Sequence, residues 1–423
     1  PEWRSNPQLA RGSIIAVVST GDVGDFNVVA MWADINKIPL NMDQTTYDPD
    51  AINILNPATY IDTGVKFATH YRDTRYYTIV DGKRVKKTTT RELDAYCSWT
   101  PVDADVAEKR QDVVKIYSTR DNTSQMPCTF FVIKKWAEDH RQLLNNLIAA
   151  VAEAGRQIKH YDDALDAACV ISARIYRDKD GPWIKRFYQG DAHRDPLGRP
   201  VMVKGYMMEL GGSRAFDLAD MMYFMGLLPG YEQVKKYEEV YETFGDIFMR
   251  VNPEFLPHGY MPASRVINPS FVRDVAREFM SQFQGQVAAV TAPSLPGIGG
   301  EATTDVVGHS NWTIEFATGS SNITAAGERE LEKLYRQVST GNMALEVHGH
   351  TDKTGDRGQN LILSDSRAKS VKIWLMRRSS MDFPDKRIMT IPHGQDQPLD
   401  VADTPEAYTK NRRVEIYLRR VMM

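Results

Sequence analysis

The sequence is short of cysteine, of long apolar runs and of net charge, and each shortage excludes a class of protein. Three cysteines in 423 residues are too few for a disulfide framework, and their spacing is not that of a zinc site. Apolar runs such as residues 221–228 are much shorter than the roughly 18 residues of a membrane-spanning helix. A net charge of −3 gives no support for nucleic acid as the main partner.

The sequence also lacks the residue patterns that carry catalysis. No Ser/His/Asp or Cys/His arrangement and no phosphate-binding loop stands out, so we predict a protein that is not an enzyme and uses no cofactor. Cys97 and Cys128 each lie beside a strand-like run. A single disulfide between them and two buried free thiols are both compatible with this position.

Composition divides the chain into two folded parts. Pro, Gly and other small residues dominate residues 285–308, and no apolar period continues through them. This composition predicts a flexible linker. The predicted domains are therefore residues 1–284 and 309–423, within the two or three domains expected of 423 residues.

The first part alternates strand-like and helix-like patterns. A β-branched run at 14–18 leads through a glycine-containing loop into an apolar helix at 26–35, which is typical of a parallel α/β sheet. After about residue 214 the pattern is mostly helical, and an aromatic stripe at 234–248 is interpreted as core. The remaining predicted elements are strands at 93–99 and 129–133 and helices at 136–158, 163–176 and 271–283.

The last part has a regular β-α-β-α-β-β order, which predicts an α+β sandwich with helices packed on one sheet. Thr324 and Ser364 are the predicted N-caps of its two helices. Its predicted strands are at 312–316, 345–347, 388–391 and 414–418.

A carboxylate and a guanidinium converge in residues 350–371. Asp352 follows a predicted strand, Asn360 lies in the next loop, and Arg367 is placed in the first turn of the helix after it. A carboxylate accepts hydrogen bonds from an ammonium group, and a guanidinium grips a carboxylate with two parallel hydrogen bonds. Such a pair suits a zwitterionic ligand. From spacing alone, a structural Asp–Arg ion pair on a capped helix is the favoured interpretation.

This segment resembles the signature of the OmpA-like C-terminal family, T-D-x-x-G followed by N-x-x-L-S-x-x-R-A-x-x-V. The matching residues are Thr351, Asp352, Gly355, Asn360, Leu363, Ser364, Arg367, Ala368 and Val371. The closing N-R-R-V-E-I of the family is present at 411–416, and the similarity covers about 311–420. One departure is His393-Gly394-Gln395, where the family more often has an aromatic residue, Gly and Glu.

The resemblance implies binding to peptidoglycan. In the family, the residues matching Asp352 and Arg367 hold the diaminopimelate of the stem peptide, and Asn360, Leu363 and Arg413 match positions that line or shape the pocket, next to Thr351. It also implies a protein of the periplasm or outer membrane, exported with a signal peptide that the given sequence does not include.

The region from about 8 to 177 resembles periplasmic solute-binding proteins of the nitrate, taurine and thiamine-precursor transporters, through the strand-loop-helix at 14–36 and the segments at 93–101 and 130–140. This resemblance implies a cleft for a small anionic ligand, with the candidate residues Ser19, Thr20, Gly21 and Trp99. The alternative is a domain retained as a scaffold, because most of a first lobe would precede the matching segment.

His348 and His350 share a strand face with Asp352 beyond them, but Asp352 lies at the turn, so we predict no metal site. The sequence thus predicts a peptidoglycan-anchored envelope protein. Its first part either captures a small ligand or contacts other proteins in an envelope-spanning assembly, such as a motor stator, a secretion apparatus or a virion.

Overall fold

The computed structural model describes most of the chain. The described residues are 2–20, 24–99, 102–110, 112–119, 121–122, 124, 129–177, 179–185, 202–203, 206–207, 215–287, 302–312, 314–317, 319–380 and 382–421. The predictions for Gly21 and Cys128 lie outside these ranges. Where the chain is described, no helix combines the length and the apolar character needed to cross a bilayer.

Strands and helices alternate along much of the chain. The strands are β1 (Ile14–Ala16), β2 (Leu40–Asn41), β3 (Thr46–Tyr47), β4 (Ile52–Leu55), β5 (Arg72–Arg75), β6 (Tyr77–Val80), β7 (Lys83–Val85), β8 (Thr89–Glu92), β9 (Ala95–Tyr96), β10 (Met202–Val203), β11 (Tyr206–Met207), β12 (Ala302–Trp312), β13 (Ala344–His350), β14 (Ile388–Gly394) and β15 (Val414–Val421). The helices are α1 (Gly24–Ile35), α2 (Tyr60–Ala68), α3 (Val102–Lys109), α4 (Lys134–Asp139), α5 (Arg141–His160), α6 (Asp162–Tyr176), α7 (Gly181–Lys185), α8 (Leu218–Phe224), α9 (Lys236–Val251), α10 (Ala263–Val266), α11 (Ser270–Val287), α12 (Ala325–Ser339), α13 (Arg357–Arg378) and α14 (Pro405–Asn411).

A small parallel sheet organises the first part of the chain. Its strand order is β2-β4-β1-β9, and all three pairings are parallel. The buried run Ile14–Ala16 leads to α1, as the sequence predicts. The prediction for residues 129–133 is wrong, because they form no strand and the Phe131 side chain is 96% exposed. A mixed α/β unit is confirmed, while the finer solute-binding fold stays a prediction.

The C-terminal part confirms the predicted β-α-β-α-β-β order, with α14 as an added short helix. Its sheet has the order β12-β15-β13-β14, with β13 and β14 parallel and the other two pairs antiparallel. Alternate residues of β13 and β15 point towards α12 and α13. The resulting core includes Leu331, Val338, Leu345, Val347, Ala368, Val371, Leu375, Val414, Ile416 and Leu418.

The structure corrects two boundaries of this part. Helix α13 begins seven residues before Ser364 and is capped by Asp356, whose side chain accepts a hydrogen bond from the Gln359 N–H. Ser364 therefore lies inside the helix rather than at its start. The first strand ends at Trp312, and beyond it Phe316 makes only an isolated bridge to Ile323.

The predicted linker at 285–308 overlaps regular structure at both ends, because α11 runs to Val287 and β12 begins at Ala302. Helix α1 packs on the edge strand β12. The Trp32 indole donates to the Val307 carbonyl at 2.9 Å. The Asn36 side chain both donates to that carbonyl at 3.3 Å and accepts from the His309 N–H at 3.0 Å. These contacts satisfy backbone groups that an uncovered edge strand would leave unpaired.

The middle helices also contact the C-terminal part. Val234 and Tyr237 are buried in a helical core with α5, α8 and α11, as expected of the aromatic stripe. Helix α9 continues onto α12, where the fully buried Lys236 ammonium lies 2.8 Å from the Asp382 carboxylate and donates to the Ser339 carbonyl at 2.8 Å. The two predicted domains are thus in direct contact along α1 and α9.

Candidate functional site

Asp352 lies two residues after the end of β13 and is held by two donors. Its Oδ1 accepts from the Thr354 N–H at 2.8 Å, and its Oδ2 accepts from Arg412 Nη1 at 2.8 Å. Burial alone would raise the pKa of this carboxyl, but the hydrogen bonds from Arg412 and Thr354 outweigh it and hold the pKa below its ordinary value. Asp352 is therefore a carboxylate near neutral pH.

Arg367 projects from the middle of α13 and is only 6% exposed. Its Nε donates to the Ser320 carbonyl at 3.2 Å, and its guanidinium lies 5.1 Å from the centre of the Phe316 ring. No described residue accepts a hydrogen bond from its two terminal nitrogens. Burial lowers the pKa of Arg367, the neighbouring Arg412 lowers it further, and the Asp352 carboxylate opposes both effects. The Asp352 carboxylate thus forms an ion pair with Arg412 and acts on Arg367 through its charge.

The close approach of β13 and α13 positions both charged residues. Gly349 meets the helix backbone, and a Cβ at this position would lie 2.1 Å from the Ser364 carbonyl oxygen. Asn360 joins three segments from the first turn of α13, where its side-chain amide donates to the carbonyls of Asp352 and Thr354 and to Gln395 Oε1. Asn360 therefore holds the loop after β13 and the loop after β14 against α13, and its role in a binding pocket stays a prediction.

The remaining predicted pocket residues have different surroundings. Thr351 is buried, its N–H donates to the Gly394 carbonyl at 2.8 Å, and its hydroxyl has no hydrogen-bond partner among the described residues. Leu363 is half-buried on α13. Arg413 is buried and points to the side opposite Val414, where its Nε donates to Glu415 Oε1 at 2.7 Å.

Arg412, and not Arg413, contacts Asp352. The sequence shows two adjacent arginines, and adjacent residues of an extended segment point to opposite sides. The available signal was the alternation of the apolar residues Val414, Ile416 and Leu418. Arg412 continues this spacing of two residues and therefore points to the same side of the strand. A prediction that used this spacing would have selected Arg412.

The residues of the predicted solute cleft are occupied by local contacts. The Ser19 N–H donates to Asn56 Oδ1 at 2.8 Å, and Asn56 Nδ2 donates to the Thr20 hydroxyl at 2.9 Å. Trp99 is half-buried, and its carbonyl accepts from the Val102 N–H. The structure brings Ser19 and Thr20 together through Asn56, and a role for them in ligand binding stays a prediction.

Cys97 and the histidines complete the candidate residues. Cys97 has a free thiol that donates to the Asp25 carbonyl, and burial raises the pKa of this thiol. His348 Nδ1 and His393 Nε2 are 2.8 Å apart. Across the described ranges, no group of three or more His, Cys, Asp or Glu side chains has an arrangement that could hold a metal ion.

The last part of the chain is similar to known proteins. The family model described as OmpA family matches residues 315–412. Omp38 of Acinetobacter baumannii is 37% identical over 100 residues, which are 23% of this chain and 28% of Omp38. The peptidoglycan-associated lipoprotein of Buchnera aphidicola is 33% identical over 102 residues, which are 24% of this chain and 57% of the lipoprotein.

The chain thus spans less than two thirds of the length of these relatives. Among solved structures, the periplasmic domain of Helicobacter pylori MotB is 21% identical, with a TM-score of 0.24, over 26% of this chain and 71% of that domain. The family match covers the segment that carries Asp352, Arg367 and Arg412. Residues 315–412 of this chain are therefore an OmpA-family domain.

Proposed function

We propose that this protein anchors non-covalently to peptidoglycan through the pocket between Asp352 and Arg367. The observation that carries the proposal is a buried guanidinium whose terminal N–H groups have no described partner, next to an ionised carboxylate. The terminal nitrogens are not among the fully buried atoms without a partner, so the guanidinium retains donors that a ligand can reach. A ligand carboxylate would satisfy it with two parallel hydrogen bonds.

Diaminopimelate has the complementary groups. Its carboxylate would bind the terminal nitrogens of Arg367, and its ammonium would bind Asp352. Because Arg412 Nη1 already occupies Asp352 Oδ2, the ammonium would replace Arg412 as the partner of that oxygen. The side chain of Arg412 is 44% exposed, so it has room to move away.

The names of the relatives support the same function. The similar proteins include a peptidoglycan-associated lipoprotein and outer membrane protein Omp38. We therefore propose that this protein lies in the cell envelope, in contact with the periplasm, and acts as a binding protein rather than an enzyme.

Co-sedimentation of the full chain with diaminopimelate-type peptidoglycan tests the proposal. Asp352→Ala and Arg367→Ala should each abolish pelleting, because truncation of one partner of a desolvated charged contact costs about 2–5 kcal/mol. Arg357→Ala is the matched control. Arg357 lies on the same helix but is exposed and paired with Asp396, so its loss should leave pelleting unchanged.

Free diaminopimelate should compete with the sacculus in the same assay. Circular dichroism of each variant would show that its fold is retained. Pelleting of both site variants at the wild-type level would contradict the proposed site. A wild-type protein that stays in the supernatant would contradict the proposed function.

The packing of the first part favours a scaffold over a freely tethered capture domain. Helix α1 contacts strand β12 of the C-terminal sheet through Trp32 and Asn36, and α9 contacts the OmpA-family domain through Lys236. A rigid connection of this kind suits a structural component of an envelope assembly. We therefore propose protein contacts as the role of the first part, with capture of a small anion as the competing function.

Thermal unfolding of the full chain with phosphate, sulfate or taurine separates these two roles. A ligand that binds only the folded state raises the melting temperature. An unchanged melting temperature, together with ordered self-association in sedimentation velocity, is the result expected of a scaffold. A clear increase with one of these anions would favour capture, and Ser19→Ala would then be expected to reduce it.

A further inference from the structure

Five rings form a continuous ladder across the sheet face opposite α12 and α13. Their order is His309, Tyr417, His348, His393 and His350. Strands β12, β15 and β14 each contribute one ring, and β13 contributes His348 and His350. Successive ring centroids are 3.9, 4.6, 5.0 and 4.7 Å apart. Four of the five rings are imidazoles, which are the side chains that titrate near neutral pH.

The charged groups around the ladder come from strands β13 and β15, from the residue before β15 and from the loop after β14. Glu346 of β13 lies 3.3 Å from His348 Nε2 and also accepts from Arg419 of β15. Glu415 of β15 lies 3.1 Å from His309 Nε2 and 3.8 Å from His350 Nε2. The Arg413 guanidinium lowers the pKa values of His350 and His393, and the Asp396 carboxylate opposes this effect at His393.

At the His350 end of the ladder, the surroundings stabilise the uncharged form of the rings. His350 is 1% exposed, and neither of its ring nitrogens has a described hydrogen-bond partner. Burial lowers the pKa of His350 to about 3, and the Arg413 guanidinium contributes to the decrease. Burial also lowers the pKa values of His348 and His393. Protonation would place like charges on stacked rings whose centroids are less than about 5 Å apart.

This end of the ladder supports the Asp352 pocket. His350 precedes Thr351 and Asp352, and His393 precedes Gly394 and Gln395. The two strand ends are joined by the hydrogen bond from the Thr351 N–H to the Gly394 carbonyl.

The Gly394 N–H donates in turn to the Ser364 hydroxyl on α13, at 2.9 Å. Gln395 accepts from Asn360, which also holds the Asp352 loop. A separation of the strand ends would therefore disturb the pocket directly.

We propose that His350 and His393 are positioning residues that hold the peptidoglycan pocket in register only while their rings are uncharged, so that anchoring weakens as the medium becomes acidic. This inference rests on the proposed function of the pocket. Protons bind more readily when the strand ends are apart, because the separated rings regain water. Acid therefore favours the state with separated strand ends. In that state Asp352 and Arg367 are no longer held in fixed positions relative to each other.

The test is the pH profile of full-chain binding to diaminopimelate-type peptidoglycan between pH 7.5 and 5.0. The wild-type dissociation constant should rise by roughly threefold or more, since the populated state shifts with proton uptake. His393→Phe and His393→Tyr keep a stacked ring that cannot become an imidazolium. Both variants should show a shallower profile than wild type, because the imidazole of His393 is removed while those of His350 and His348 remain. His258→Phe, at an exposed histidine, should keep the wild-type profile.

The Asp352 carboxylate does not produce this profile, because its lowered pKa lies below the pH range tested. A flat wild-type profile would overturn the inference and leave the proposed function intact. The inference would also be overturned if both His393 variants kept the wild-type slope. Absence of binding at pH 7.5 would overturn the proposed function and this inference together. Thermal melts at each pH would show that every variant is folded.

Discussion

Replacement of Lys236 by methionine tests whether the helical middle of the chain and the OmpA-family domain unfold as one unit. The Lys236 ammonium has no exposed surface. It lies 3.0 Å from Glu239 on its own helix and 2.8 Å from Asp382 of the OmpA-family domain, and it donates to the Ser339 carbonyl. Methionine has a similar length, so it removes the charge and the donors with little change in volume.

The expected loss follows from the burial of the partners. Without the ammonium, the Glu239 and Asp382 carboxylates remain buried without their cation. Removal of one member of a buried ion pair costs about 3–5 kcal/mol, because the remaining charge is uncompensated. Lys333→Met is the matched control. Lys333 is 63% exposed and paired only with Glu330 on the same helix, so its loss should cost less than about 1 kcal/mol.

Urea unfolding of the full chain provides the assay. Tryptophan fluorescence and far-ultraviolet circular dichroism should give coincident transitions for the wild type, with an unchanged slope and a lower midpoint for Lys236→Met. A Lys236→Met protein within about 1 kcal/mol of wild type would refute the buried pair as the link between the two parts. Two separate wild-type transitions would refute the single unit.

Three further predictions follow from individual contacts. Gly349→Ala should force β13 away from Ser364 at a cost of about 1–3 kcal/mol or more and weaken peptidoglycan pelleting; wild-type stability and pelleting would contradict the close approach. His350 has an unfolded pKa near 6.5 and a folded pKa of about 3, so its contribution to stability is complete above about pH 6.5 and is lost as the pH falls towards 3. Between pH 7 and 5 the free energy of unfolding should drop by about 2 kcal/mol from this group, and His350→Phe should reduce that slope in denaturant titrations; an equal slope in the variant would reject the assignment. Trp32→Phe should cost about 1–3 kcal/mol in the same titrations, because the buried Val307 carbonyl loses its indole donor; hydrogen exchange at the β12 edge that stays at the wild-type rate would argue against this contact.

Much of the C-terminal fold was predictable from local sequence. Alternation of apolar residues with period two located the cores of β13 and β15, and helical spacing located α12 and α13. Asp352 and Arg367 were predictable as a pair because the family motif places them at a strand end and on the following helix. The start of α13 was predicted too late, because Asp356 as well as Ser364 can act as a cap residue and local sequence does not rank the two.

The remaining features depend on contacts between residues that are far apart in sequence. Glycine and proline composition predicted a linker up to residue 308, but β12 begins at Ala302. This edge strand is stabilised by α1, which covers it from about 270 residues away in the sequence. The choice of Arg412 over Arg413 as the partner of Asp352 follows from which side of the last strand faces α13. The sequence indicated only that His348 and His350 share a strand face, because the other rings of the ladder meet them only where four strands lie side by side. Local sequence therefore determined the strands, helices and charged residues of the OmpA-family domain, and tertiary packing decided which of those charges contact each other and which rings stack.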